Sequence, residues 1–284
     1  MKRISIYLFC GIFIFLSCQS PSKEKTYVIT NKNVLNLRDT IANFNEVQSS
    51  HIGYAGSPST QYNNYKNLAR LASADELYVL TKDTNNAVAT YATFGLIDKE
   101  NPKFIDVFED FLKTDKKVKT MKGCSMGSDF VSSEIYYKYW NDLRLSANDE
   151  KVALQKDAQL LKLDSLIIAT NNADWLLYMT VFENRIYDKS YLPVIEKQAF
   201  NNENIHAIKY VFDHHKADYE NQLIKALKNY LKRDDIVPFL YEDIFTMMHS
   251  FHNEELNALL TQELDEIKSK YGESSMNHYK KMLQ

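Results

Sequence analysis

The stretch that most constrains how this chain can fold runs from Ser73 to Leu112, SADELYVLTKDTNNAVATYATFGLIDKENPKFIDVFEDFL. It divides into three short apolar segments separated by polar turns. Ser73 can cap a helix start, with Glu76 three residues on completing a capping box, and Leu77 and Leu80 then point inward. Asp83-Thr84-Asn85-Asn86 breaks that helix and caps the next, which carries Val88, Tyr91, Ala92 and Leu96. Asn101-Pro102 stops and restarts the chain, and Phe104, Phe108, Phe111 and Leu112 follow at helical spacing. Helices this short, each with a single apolar stripe, are not stable alone and need neighbours on both sides. The stretch therefore predicts one unit of a stacked helical array.

The same grammar recurs along the chain. Asn31 to Val47 predicts a first helix, with Val34, Leu35, Leu37, Ile41 and Phe44 as its apolar positions. Val131, Ile135, Tyr136, Tyr139, Trp140 and Leu143 form a broad aromatic helix face, which suits either a core or a binding platform, core packing being the favoured reading. Val152 to Ile168 reads as one leucine-rich helix, and Trp175, Met179, Phe182 and Ile186 as the stripe of the next. A helix through Ile205 and Phe212 precedes another through Tyr219 and Leu231, and Pro238 fits the first turn of the one after. Leu256 to Tyr271 makes the last long helix, closed by Gly272. Asn85-Asn86, Asn171-Asn172, Asn201-Asn202 and His252-Asn253 each occupy the turn before an apolar helix, where Asn satisfies free N–H groups. Long strand-like alternation is absent, and the clearest β candidate is Tyr27-Val28-Ile29. SSHIGYAGSPSTQYNNY, Lys113 to Lys122 and Gly123 to Ser128 read as loops, the lysine-rich one as a solvated linker.

ELYVLTKDTNNAVATYATFGLI resembles a HEAT-type repeat, in which a leucine helix and a short turn precede V-x-x-x-A in the partner helix. Leu77 and Leu80 match the first helix; Val88 and Ala92 match the second. The resemblance implies an all-α fold, an α-α superhelix or HEAT-like solenoid of short antiparallel helices, here spanning residues 31–284. It also implies a concave surface that binds a protein or peptide, without catalysis.

The N-terminus carries a different signal. Met1-Lys2-Arg3 is followed by a nearly continuous apolar run from Ile4 to Phe15, then Leu16-Ser17-Cys18. This is an export signal at 1–17, too short to anchor as a stable span. It resembles a bacterial lipoprotein leader, which implies lipidation of Cys18 and attachment to a membrane of the cell envelope, the outer one, on its periplasmic or surface face. Residues 18–30 then read as a flexible tether. The formal net charge is −3 and becomes more negative by two once Lys2 and Arg3 leave. With no basic stripe, nucleic acid is excluded as a natural partner.

After processing, only Cys18 and Cys124 remain of three cysteines, so the mature fold has no internal disulfide. Cys124, in GCSMG, reads as a small buried hydrophobe, since no nearby histidine supports a thiol base. No P-loop, dinucleotide fingerprint, G-x-S-x-G elbow or HExxH pattern is present. The sequence thus predicts no cofactor and no catalytic residue. The best residual chemistry lies in His214-His215 and in His249 with His252, two pairs that could converge on zinc in a metal-dependent hydrolase. A second alternative is an immunity protein against a toxin delivered to the envelope. Asp39-Thr40-Ile41 and Asp164-Ser165-Leu166 resemble a three-residue O-glycosylation signal.

Overall fold

The computed structural model describes residues 28–283. The export signal at 1–17, the lipidation site Cys18 and all but the end of the tether lie outside those residues. The described chain runs α1 (Lys32–Phe44), β1 (Val47–Ile52), β2 (Ser57–Pro58), α2 (Thr60–Leu71), α3 (Ala74–Leu80), α4 (Asn86–Asp98) and α5 (Lys103–Leu112). Next come β3 (Lys117–Gly123), β4 (Ser125–Phe130), α6 (Val131–Ser146), α7 (Glu150–Lys156), α8 (Ala158–Ala169), α9 (Trp175–Glu183) and α10 (Leu192–Glu196). The chain ends in α11 (Ile205–Leu231), α12 (Leu240–His249), α13 (Glu254–Tyr271) and α14 (Glu273–Met282). A π turn at Lys197–Asn201 links α10 to the approach to α11. The protein is mostly helical, with one small sheet.

The 73–112 stretch folds as its residues dictate. Both halves of the capping box form: Glu76 N–H donates to Ser73 Oγ at 3.2 Å, and Ser73 N–H to Glu76 Oε2 at 2.8 Å. Asn85 Oδ1 accepts from the N–H groups of Ala87 and Val88. Every residue of α4 from Ala87 to Ile97 is buried, so this helix has no solvent face. Its small residues allow that: a Cβ placed on Gly95 would lie 2.9 Å from Leu77 Cδ2. Thr90 and Thr93, buried with it, donate back to the carbonyls of Asn86 and Ala89 at 2.7 and 2.8 Å, leaving no hydroxyl unsatisfied. Beyond α4 the helices pack on near neighbours in sequence: α5 on α6 and α8, α8 on α9, α9 on α11, then α11 through α14 in succession. One apolar core runs through them from Val34 to Tyr279.

The sheet departs from the all-helical expectation. Its strand order is β2-β1-β3-β4, with β1 parallel to β3 and both other pairs antiparallel. The lysine-rich stretch, predicted to be a solvated linker, forms β3 because its alternation places Val118 and Thr120 inward and Lys117 and Lys119 outward. Only one of the inward residues is aliphatic, so the period of two was carried by a Thr and by what the lysines avoid. Gly123, at φ +58°, turns the β3–β4 hairpin where a loop was expected. β1 and β2 likewise occupy the predicted 49–65 loop, in which Tyr65 is buried and Tyr54 fully exposed. Of the Tyr27-Val28-Ile29 candidate, the described residues 28 and 29 are not strand.

Several helix ends also differ. α1 stops at Phe44, where Asn45 turns left-handed, and only Val34 and Ile41 of its five expected apolar positions are fully buried. The 152–168 helix is two helices, since Asp157 ends α7 and its carboxylate caps α8 through Leu160 N–H. The two helices expected across 205–231 both form: the α11 span is broken by a kink at His215 and Tyr219, whose backbones are non-helical. Pro238 precedes α12 instead of opening it, and α14 follows Gly272. Asn204, not Asn201 or Asn202, caps α11, and Asp174 stands at the N-cap of α9 in place of the Asn171-Asn172 pair.

Candidate binding cleft

The residues singled out from sequence are dispersed. Cys124 is exposed at the β3–β4 turn, contrary to the expectation of a buried thiol; the turn has too few residues to cover it. His214 and His215 sit at the α11 kink, where His214 lies 4.6 Å from the Tyr210 ring centroid. His249 closes α12, its Nδ1 3.3 Å from Asn257 Oδ1, and its ring is 6.2 Å from that of His252. Among the described residues no three His, Cys, Asp or Glu side chains gather as a metal ion requires. The aromatic face of α6 is packed inward. Tyr136 is buried and donates to Asp164 Oδ1 at 2.8 Å, while Tyr139 stacks on Phe104 and donates to Asp157 at 2.9 Å. Trp140 is half-buried beneath the Arg144 guanidinium. Asp164 is buried and Ser165, half-buried, donates its Oγ–H to Leu161 O, whereas Thr40 is exposed on α1.

A cleft of about 580 Å³ opens between the starts of α9, α11 and α12. That volume lies in the range that holds small ligands or a few peptide residues. Local sequence explains why it stays open. Gln198 on the π turn donates to Ile168 O and Thr170 O, both at 2.7 Å, and Asn202 donates to Asn171 Oδ1 at 2.7 Å. These amides pin the turn to the end of α8. On the other side Pro238 delays the start of α12, leaving Val237 and Phe239 part-exposed on an irregular segment.

The cleft has an apolar wall on one side, with Asn171, Gln198, Asn202, Glu203 and Asn204 along the rest of its lining. Trp175 is 47% exposed, and its ring lies 5.3 Å from that of Phe239 and 6.3 Å from that of His206, nearly parallel to the imidazole. The only guanidinium, that of Arg233, is held by Asp235 through two hydrogen bonds of 2.9 and 2.8 Å and lies over the Tyr230 ring. Glu203 accepts from Asn229 Nδ2 at 3.2 Å. His206 is 7% exposed, and burial pulls its pKa down to about 4 against the opposing pull of Asp243, with Lys209 adding to the depression. The imidazole is therefore neutral near pH 7. Its far side borders a smaller cavity of about 180 Å³ walled by Glu183, Lys209, Asp213 and His214. The ring nitrogens of His206 and the Tyr230 hydroxyl are not enclosed without a partner; among the described residues the one side-chain polar atom in that state is Trp140 Nε1.

Two other hollows offer less. One of about 780 Å³ has Arg185 in its floor, but that guanidinium is committed to Asp164 and to the carbonyls of Leu154 and Gln155. Another, of about 570 Å³, is bordered by Asp98, which already accepts from Tyr65, Lys66 and Lys138.

Sequence reasoning missed this site. It placed Trp175 in a buried stripe and passed over His206. The available signal was Val237-Pro238-Phe239, where two large apolar residues flank a residue that prevents them from entering a regular helix. No family model, no curated protein and no solved structure matches this chain.

Proposed function

We propose that this chain is a membrane-anchored α-helical repeat lipoprotein of the bacterial envelope, acting as a protein-interaction module whose recognition site is the Trp175–Phe239 cleft. The observation that carries the reading is the cleft itself: Trp175, Val237 and Phe239 stay half-exposed around a hollow of about 580 Å³. Anchorage rests on the leader pattern ending at Cys18. The finer architecture, an α-α superhelix of HEAT-like type, draws support from the order of packing in the C-terminal half, where α8, α9, α11, α12, α13 and α14 contact one another in sequence. The partner is a protein or peptide and the module turns over no substrate.

A photoreactive benzoylphenylalanine placed at Phe239 in the full chain, in its own cells, tests the reading. It should give one discrete cross-linked product that is lost when Trp175→Ala is added, while the same group at exposed Leu145 gives none. A product indifferent to Trp175→Ala would dismiss the cleft as the site. Cys18→Ser should move the protein from the membrane to the soluble fraction; retention in the membrane would dismiss the lipid anchor.

A further inference from the structure

The β3–β4 hairpin leaves one of its faces to solvent. On the other face Val118 and Thr120 are buried, with α4 packed on β3 and α6 on β4. The outer face carries three cross-strand pairs: Lys117 with Phe130, Lys119 with Ser128, and Met121 with Met126. Lys117, Lys119 and Ser128 are exposed there, and Met126 is 76% exposed. At the Met126 end, Gly53 N–H donates to Gly123 O at 2.9 Å, which ties the β1–β2 turn to the β3–β4 turn. That end therefore bears two projecting apolar side chains, Met126 and the fully exposed Tyr54. Of the lysines in 113–122, Lys113 is matched by Glu109, and Lys122 by Asp129 and Glu134. Lys116, Lys117 and Lys119 meet no carboxylate among the described residues, and the segment has one acid of its own, Asp115. Unpaired cations thus gather on a chain whose net charge is −3.

Lysines set behind projecting apolar side chains suit an anionic bilayer surface, where ammonium groups meet headgroup phosphates and apolar groups enter the acyl boundary. A second copy of the chain would bring the same lysines face to face. An acidic protein would need a fitted pocket for each projecting side chain, whereas a fluid bilayer yields to both. The described chain begins ten residues after Cys18, a reach of at most about 35 Å, and α1 leads directly into β1. An anchor at Cys18 therefore keeps the sheet near a membrane and raises the effective concentration of lipid around it. Resting in part on that anchor, and separate from the cleft, we propose that the outer face of the β3–β4 hairpin docks on an anionic phospholipid surface. Lys117 and Lys119 lie against headgroup phosphates, and Met126 and Tyr54 enter the interface. So few groups bind weakly and reversibly by themselves: the lipid holds the protein, and the sheet fixes which way it faces.

The test uses the whole processed chain, from residue 18 onward, with Cys18→Ser so that no acyl chain contributes. It is mixed at low ionic strength with vesicles of phosphatidylcholine, either alone or with about one-third phosphatidylglycerol, and sedimentation reads the bound fraction. Binding should saturate on the anionic vesicles and be at least about tenfold weaker on the neutral ones. Lys117→Gln with Lys119→Gln should weaken it about 10- to 30-fold, at about fivefold for each lysine near the surface. Lys151→Gln with Lys268→Gln, which removes two exposed lysines on α7 and α13, should change it less than about twofold. Tyr54→Ser with Met126→Ser should weaken binding several-fold at unchanged charge. Equal binding to both kinds of vesicle, equal loss from both lysine pairs, or no effect of the Tyr54 and Met126 changes would overturn the proposal. Saturation by poly-glutamate without binding to anionic vesicles would replace the bilayer with an acidic polypeptide. Because the tested chain lacks the acyl group, failure to bind vesicles sinks the sheet's role alone; the anchor and the cleft answer to fractionation and cross-linking.

Discussion

Arg185 is the most consequential single side chain for the stability of the second half of the molecule, and Arg185→Met tests why. Its side chain is 3% exposed, that of Asp164 2%, and Nε lies 2.7 Å from Asp164 Oδ2. The remaining guanidinium nitrogens donate to Gln155 O, at 2.6 Å, and to Leu154 O, so this single residue, just beyond the end of α9, holds both the C-terminal turn of α7 and the middle of α8. Methionine preserves much of the volume and removes all three donors. Asp164 would keep only the Tyr136 hydroxyl, and a buried charge deprived of its partner costs about 3–5 kcal/mol. Each abandoned carbonyl adds about 1 kcal/mol, though losses in one network do not simply sum. A total of about 4–6 kcal/mol corresponds to a melting temperature lower by about 10–20 °C for a chain of this size. Burial already pushes the Asp164 carboxyl up from its usual range, and without Arg185 protonation is its remaining escape. The folded variant would take up that proton before the unfolded chain does, so the deficit should shrink as pH falls from 7 towards 5. Asp164→Leu with Arg185→Met, which removes both charges, should recover most of the loss. Urea unfolding followed by far-UV circular dichroism measures all of these. A single variant within about 1 kcal/mol of the parent, or a double variant as unstable as the single, would refute the argument.

Two further predictions concern His206 and Gly95. With the His206 pKa held down to about 4, the unfolded chain takes up a proton below about pH 6.5 that the folded chain refuses, so stability falls as pH drops from 6.5 to 4. The full effect is about 3 kcal/mol, and His206→Phe should flatten the pH dependence of the urea midpoint by that amount; an unchanged slope would mean the imidazole charges freely in the fold. Gly95→Ala gains about 1 kcal/mol of helix propensity but forces a methyl against Leu77, itself fully buried, at a cost of about 1–3 kcal/mol. The expected net result is a loss of about 1 kcal/mol in thermal melts, and a gain would show that α3 can move away from α4.

How much of this could be read from the sequence follows from how local each determinant is. The capping box at Ser73 and Glu76, the Asn85 cap and the Phe104–Leu112 stripe are interactions within a few residues, and each formed as its residues demand. The strands were illegible for the opposite reason. β1 finds its parallel partner in β3, with Val47 opposite Thr120, so the pairing that makes either a strand is far away in sequence. The cleft was hidden similarly: Trp175 and Phe239 have the same apolar character whether they face a core or a groove. The amide cluster around Gln198, which ties the π turn to the end of α8, joins residues far apart in sequence and could not be read from local pattern.

The sheet and the cleft are two consequences of one asymmetry. β1 and β3 pair across the entire α2–α5 segment, so the helices between them are clasped at both ends, and α4, touched by α1, α2, α3, α5 and α6, has every face taken. Nothing comparable closes the row from α8 to α14. There the packing is held by contacts between near neighbours and by single polar fasteners such as Arg185 and Gln198, and α11 kinks at His215 and Tyr219 as it crosses the row. Openings in a row of helices persist where a fastener fixes the spacing without filling it. The cleft beside Gln198 is such a place, which is why a recognition site belongs in the half of the molecule that no sheet secures.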